Sequence, residues 1–449
     1  MPILVLVCGL LANAQTPTGG WISEIEIEGL VPFEVSFRFS NRNTSPLNGI
    51  EGKVILQDRL GRVIEVVPIE AFSVTTDETV EVVTASRWSY QQAGIHLLEV
   101  GLDLGADDSV SDSLMFRILP IRLPLEPPQA LPGEGLYTVY QQAVNWGLTR
   151  VAAPEAWSIS HGDPRVVVAV IDSGIDHSIP QLAASMWINE GEIDGNGIDD
   201  DRNGYVDDIH GWDFRDNDSS SLVGTTIHGH GTFGASIIAA QPGELPIVGV
   251  APGVRIMDVR FLDSCNSFDS RDWQALGRAI DYAVDNGAQI INLGIYAHGT
   301  PPNSVDTALK RAAKHGVIIV GIAGNFGEEQ VMYPGRYDTV LAISATTPND
   351  FLANFSNRGA DVAFCAPGEG VTSLIKGGRA STQSGTSFAA SHVAGVLALI
   401  LSVAPELSPI EAIGVLRDSA IDLGPPGLDT WFGYGLVNAY RALSSLGEI

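Results

Sequence analysis

Cysteine is nearly absent, with three in 449 residues, at positions 8, 265 and 365. A disulfide framework is thereby excluded, and stability must come from a hydrophobic core and any bound ion. Cys365 sits in an apolar, strand-like run and reads as a packed thiol; a bridge to Cys265 stays open, because connectivity does not follow from sequence. Basic side chains are also scarce, 25 Lys and Arg against 53 Asp and Glu, for a formal charge of −28. That deficit argues against nucleic-acid and anionic-membrane partners. Uncharged runs of membrane-spanning length are missing apart from the stretch after Ser387, which carries Ser391 and His392. No membrane insertion is expected.

Hydrophobic residues make up 45% of the chain, with 49 glycines and 25 prolines, the composition of a folded, loop-rich protein. The length suggests two or three domains. Met1 to Ala14 is apolar and ends in Ala12-Asn13-Ala14, a small-x-small cleavage pattern. Residues 1–14 are therefore expected to be a signal peptide, although its usual basic start is missing, and the protein to be secreted or periplasmic. Residues 15–119 hold short alternating segments such as Phe33 to Phe39, Lys53 to Leu56 and His96 to Val100. Period-two alternation between turn residues predicts an all-β sandwich. This stretch resembles the immunoglobulin-like modules of bacterial surface proteins, and is expected to be an accessory domain or an atypical pro-region. A proline-rich linker over 120–136 follows.

From Tyr137 to Ile449 the texture changes. Val166 to Ile171 is a continuous apolar run, the mark of a strand buried on both faces. Similar runs recur at Ile256 to Phe261, Ala288 to Asn292, Val317 to Ala323 and Val340 to Ser344. Between them Trp273, Leu276, Ile280, Ala283 and Val284 share one helical face, as do Val305, Ala308, Leu309 and Ala312 in a segment that Ser304 is expected to cap. Alternating strands and helices predict an α/β fold, a mainly parallel sheet with helices on both faces, whose ligands bind at the carboxyl ends of the strands.

Four short motifs stand at such ends or at helix starts. Asp172 opens Asp172-Ser173-Gly174, His230 opens His230-Gly231-Thr232, Asn325 closes Ala323-Gly324-Asn325, and Ser387 closes Gly385-Thr386-Ser387 ahead of an apolar helix. Singly, each has a plain alternative: a turn aspartate, a loop histidine or metal pair with His228, a turn asparagine, and a helix N-cap. A serine in the first turn of a helix has its hydroxyl beside free backbone N–H groups, which suits a nucleophile.

Taken together, and in this chain order, the motifs resemble the subtilase family of serine proteases. Gly249-Val250-Ala251-Pro252, Phe355-Ser356-Asn357, Ala366-Pro367-Gly368 and Phe432-Gly433-Tyr434-Gly435 extend the resemblance over about Tyr137 to Leu446. It implies a subtilisin-like fold and a serine endopeptidase acting on polypeptide substrates. Ser387 would be the nucleophile, His230 the general base, Asp172 its orienting acid and Asn325 an oxyanion donor. An idle, subtilase-like structural or adhesion module is the alternative.

The resemblance breaks in three places. Tyr296 and Phe268 stand where the family usually has glycine along the substrate cleft, Ser391 replaces a proline, and residues 15–119 do not look like the usual propeptide.

An acidic insertion at about 190–218 lies between Asp172 and His230. Six aspartates fall within Asp194 to Asp208, a density that repels itself without a cation. Asp199, Asp201 and Asn203 alternate, Gly204 permits a sharp turn, the Tyr205 carbonyl follows, and Asp207 or Asp208 can close the set. This is the opening logic of an EF-hand loop and predicts a structural calcium ion.

Overall fold

The computed structural model describes residues 145–219, 229–263, 267–268, 272–297 and 299–447, with strand backbones alone before residue 145. The chain divides into two compact units, Met1–Gln129 and Ala130–Ile449. The expected signal segment lies outside the described residues, except for strand backbone at Ile3–Leu6 and Ala14.

Among the described residues the first unit has the strands β1 Ile3–Leu6, β2 Ala14–Gln15, β3 Gly20–Glu28, β4 Glu34–Asn41, β5 Leu47–Asp58, β6 Val63–Val74, β7 Thr79–Val83, β8 Gly94–Gly105 and β9 Asp108–Pro120. They form two sheets, β1-β9-β8-β5-β6 and β2-β3-β4-β7. Every pairing in both is antiparallel.

The second unit is built on β10 Val167–Asp172, β11 Gly211–Asp213, β12 Arg255–Arg260, β13 Ile290–Leu293, β14 Ile318–Ile322, β15 Val340–Thr346 and β16 Val362–Pro367. Their order is β11-β12-β10-β13-β14-β15-β16, and all are parallel. An antiparallel hairpin, β17 Val371–Ile375 and β18 Arg379–Gln383, follows.

Alternation within the buried runs feeds two cores. Val168 and Val170 join Ile256, Ile290, Val320 and Ile343 in a layer completed by the helix Thr386–Val403. Ala169 and Ile171 join Val259, Ile291 and Ile319 in a layer completed by the helices Trp273–Asp285 and Asn303–Lys314. Helices therefore cover both sheet faces, which is why the strands are apolar throughout rather than on alternate residues. The Asn303 helix starts one residue before the expected Ser304 cap; Pro302 is its N-cap, and no side chain caps it. Thr386–Val403 is long and apolar enough to cross a membrane, yet it is the central helix of this core, buried from Thr386 through Leu401. Cys365 is fully buried on β16 among Leu423, Phe432 and Leu436, while Cys265 lies outside the described residues.

Strand order reverses around β10, with β12 on one side and β13 on the other. The carboxyl end of β10 is thus the crevice where ligands bind in such sheets.

Candidate active site

Asp172 is the last residue of β10, buried, with its Oδ1 accepting the Ser173 N–H at 2.7 Å. Its carboxylate faces the imidazole of His230, whose Nδ1 lies 2.8 Å from Oδ1 and 2.9 Å from Oδ2. His230 begins the helix His230–Ala239, and its N-cap Gly229 has φ 55°. A Cβ on Gly229 would sit 2.7 Å from the Lys376 backbone nitrogen, so this approach requires glycine. The Ser173 hydroxyl accepts the Gly231 N–H and the Thr232 hydroxyl accepts the Asp176 N–H, tying the two loops together. Burial pulls the His230 pKa down, but the charge and hydrogen bond of Asp172 more than offset it and leave the imidazole above its ordinary value.

Ser387 is the second residue of its helix and 5% exposed. The N-cap is Gly385, so Ser387 is not the capping serine that the motif alone allows. Among the described residues its Oγ makes no hydrogen bond. The neighbouring Phe388 ring lies 5.4 Å from the His230 ring, which places the helix start beside the Asp172–His230 pair.

Asn325 follows the end of β14, half-buried. Its Oδ1 accepts both the backbone N–H of Thr386 at 2.9 Å and the Thr386 hydroxyl at 2.8 Å. Two donors on the oxygen fix the amide, so Nδ2 is the end left to donate, and it lies 3.8 Å from where a Cβ of Gly385 would be. Asn357 supports this loop: its Oδ1 accepts the Phe326 and Glu328 N–H groups, and its Nδ2 donates to the Gln330 carbonyl. Neither the Thr386 contact nor the Asn357 brace is visible in sequence, since each joins residues 27 to 61 apart.

The two aromatics at glycine-like positions behave differently. Phe268 packs inward, 5.1 Å from both Phe261 and Trp273. Tyr296 is half-buried and meets Phe326 edge to face. His228 and Asn266 lie outside the described residues.

In the acidic insertion, Glu192, Asp201 and Asp208 bring carboxylate oxygens within 4.8 Å of one another. Glu192 comes from outside the segment in which spacing suggested ligands. Asp208 is buried and accepts from Tyr282 Oη, Asn189 Nδ2 and Asn203 Nδ2. Burial is the main reason its pKa is raised. Asp199 instead caps the turn, accepting the Asn203 and Gly204 N–H groups, and Asp207 accepts those of Asn196 and Gly197. The Tyr205 ring packs against Trp212 and Tyr282.

A second histidine–aspartate contact braces the loop after Asp172. His177 Nε2 lies 2.7 Å from Oδ2 of buried Asp258, which also accepts the Ile175 N–H at 3.1 Å. His210 meets the His177 ring edge-on at 5.0 Å. Burial lowers the His177 pKa, but the hydrogen bond and charge of Asp258, with the charge of Asp176, raise it overall from 6.5. A pKa raised by folding stabilises fully below the unfolded value and loses that contribution as pH rises through the folded one. The melting-temperature gap between wild type and His177→Gln should therefore narrow as pH rises above 6.5 and through the raised folded-state value. A gap constant with pH would contradict this.

The model of the subtilase family matches residues 163–435. The chain is 34% identical over 308 residues to the thermophilic serine proteinase of Bacillus sp. (strain AK1), covering 68% of each chain. It is 34% identical over 306 residues to thermitase of Thermoactinomyces vulgaris, 68% of this chain and 97% of that one. Against minor extracellular protease Epr of Bacillus subtilis (strain 168) it is 33% identical over 301 residues, 66% of this chain and 41% of that one. With its parallel sheet, its Asp–His pair at the carboxyl end of β10 and this match, the chain belongs to the subtilase family and is a subtilisin-like serine protease.

Proposed function

We propose that the protein is an endopeptidase in which Ser387 Oγ attacks the scissile carbonyl, His230 takes its proton and passes it to the leaving amine, and Asp172 holds the imidazole tautomer and stabilises its cation. An acyl-enzyme forms on Ser387 and water then releases it. The Asn325 Nδ2 and the Ser387 N–H stabilise the oxyanion. The observation that carries this reading is the bifurcated contact of His230 Nδ1 with both oxygens of a buried Asp172, which leaves Nε2 as the ring nitrogen able to act as base. The same pairing disfavours an idle structural module. Incubation of the full chain with an unfolded polypeptide tests the reading: new N-termini inside the substrate are expected, whereas no cleavage, or release of terminal residues alone, overturns it.

Asn325→Ala is expected to lower kcat by about 100- to 1,000-fold with little change in KM, because its donor acts on charge that develops only in the transition state. A change confined to KM would remove Asn325 from this role.

A calcium ion fits the acidic insertion. The donors are hard oxygens, the Asp208 carboxylate is buried with a raised pKa, and three carboxylates converge there. Glu192, Asp201 and Asp208 would hold the ion, with Asn203, whose amide contacts both aspartates, alongside. Asp199 and Asp207, expected from spacing together with the Tyr205 carbonyl, instead hold the loop through backbone N–H groups. The ion would neutralise the carboxylates and hold the insertion folded. Chelation should lower the melting temperature by on the order of 5–10 °C, as follows from calcium held at about 100 times its Kd. Unchanged melting and unchanged resistance to proteolysis would contradict calcium binding.

Export fits the apolar segment 1–14 and the extracellular protease of Bacillus subtilis among its relatives. The first unit would then be an immunoglobulin-like accessory domain or a pro-region removed within 120–136. A mature N-terminus at Gln15 supports the former and one at Leu131 to Tyr137 the latter.

A further inference from the structure

The helices that begin with His230 and with Thr386 cross one turn beneath their reactive side chains. Gly234 lies four residues after His230 and Ser391 four residues after Ser387, so each stands on the same helix face as its catalytic residue, about 6 Å further along the axis. The two meet: a Cβ on Gly234 would lie 3.0 Å from the Ser391 Oγ, and among the described residues no other atom of a neighbouring element comes within 4 Å of it. Both residues are buried, Ser391 completely. The Ser391 hydroxyl is held in place by donating to the Ser387 carbonyl at 3.0 Å. A proline, the residue the family usually has here, would supply neither that hydroxyl nor a backbone N–H for the same carbonyl. On its other side the His230 helix has no slack, since a Cβ on Gly231 would fall 2.6 Å from the Gly174 carbonyl oxygen and 3.2 Å from Asp172 Oδ1. Beside the crossing, the Phe233 and Phe388 rings pack 4.4 Å apart and close the gap between the helices.

We propose that Ser391 and Gly234 are positioning residues that set the distance from the Ser387 hydroxyl to the His230 imidazole. The inference rests on the endopeptidase reading above, in which that hydroxyl gives its proton to Nε2. The Ser391 hydroxyl acts as a one-atom spacer at the crossing, and through the Ser387 carbonyl it also fixes the peptide unit that bears the nucleophile. An atom added at Gly234 pushes on that hydroxyl by a few tenths of an ångström. The displacement cannot run towards β10, because Gly231 already abuts Gly174, so the Thr386 helix moves and carries Ser387 away from the base. Such a shift matters, as misplacement by about 1 Å costs on the order of 100-fold in rate.

A double-variant cycle tests the proposal, with kcat and KM for a peptide anilide, the rate of fluorophosphonate labelling and the melting temperature all measured on the full chain. Gly234→Ala should lower kcat and the labelling rate by about 10-fold with KM little changed. In the Ser391→Ala background the same methyl group meets no hydroxyl, so there Gly234→Ala should cost less than about 2-fold. Ser391→Ala alone should lower kcat by about 3- to 10-fold at unchanged KM, since the Ser387 carbonyl loses a donor and the crossing its spacer. A merely structural role would shift the melting temperature without splitting kcat from KM. An equal loss from Gly234→Ala in both backgrounds, or changes confined to KM or to the melting temperature, overturns the proposal and leaves the serine-protease reading intact. Absence of labelling in wild type overturns the reading beneath it. If Gly234→Ala fails to fold, Ser391→Ala decides, and an unchanged kcat and labelling rate there overturn the proposal.

Discussion

Ser387→Ala is expected to lower kcat by on the order of a million-fold while the protein still binds peptide. The loss is large because the hydroxyl occupies a place no other group can fill. Gly385 is the N-cap and has no side chain to cap with, Asn325 Oδ1 takes the Thr386 N–H, and Ser387 sits in the first turn, where its own N–H and the positive end of the dipole would stabilise a developing oxyanion. Removing the hydroxyl removes the acyl-enzyme, yet Asn325 and the helix N-terminus remain. A residual enhancement of about 1,000- to 10,000-fold over water is therefore expected. Packing should hardly change, since among the described residues the Ser387 hydroxyl makes no hydrogen bond. Steady-state kinetics together with thermal melting separate the outcomes: a large fall in kcat at unchanged melting temperature supports the nucleophile, and a fall in both argues for a structural serine.

Asp172→Asn is expected to lower kcat by about 10,000-fold and to move the acid limb of the pH–rate profile. An amide can donate to Nδ1 and so favour the tautomer with its proton on Nε2, which cannot act as base. The shift in the acid limb has a definite sign. Burial depresses the His230 pKa, and the Asp172 charge and hydrogen bond are what raise it above the ordinary imidazole value of 6.5. Activity requires neutral imidazole, so in wild type it falls as pH drops through that raised value. In the variant only the burial contribution persists, and the midpoint should move to lower pH. The pH dependence of kcat/KM measures this directly, and an unchanged midpoint would show that the pair is not electrostatically coupled.

Much of the architecture is legible in the sequence because buried strands and amphipathic helices write their periods locally. Val166 to Ile171 reads as a strand covered on both faces, and β10 is covered on both faces; Trp273, Leu276, Ile280 and Ala283 read as a helix face and are buried together. Turns were less legible. The Asn303 helix starts after Pro302, without the serine cap that local propensity favours.

The site divides in the same way. Asp172, His230, Asn325 and Ser387 can be picked out from motif order, but what distinguishes Ser387 from a helix cap is a three-dimensional fact. The amide orientation of Asn325 depends on Thr386, far along the chain. In the acidic insertion, spacing suggests ligands every second residue, whereas the fold sends Asp199 and Asp207 to backbone N–H groups and draws in Glu192. Phe268 and Tyr296 look alike as departures from the family. Only the contacts separate them, one turned into a core between Phe261 and Trp273 and the other paired with Phe326 at the site.

Mapping a fluorophosphonate adduct by mass spectrometry on the full, calcium-supplemented chain tests the central claim most directly. The account predicts a single phosphonyl group on Ser387, absent from Ser387→Ala and strongly slowed in Asp172→Asn. A folded protein that takes up no label, or carries it on another residue, would contradict it.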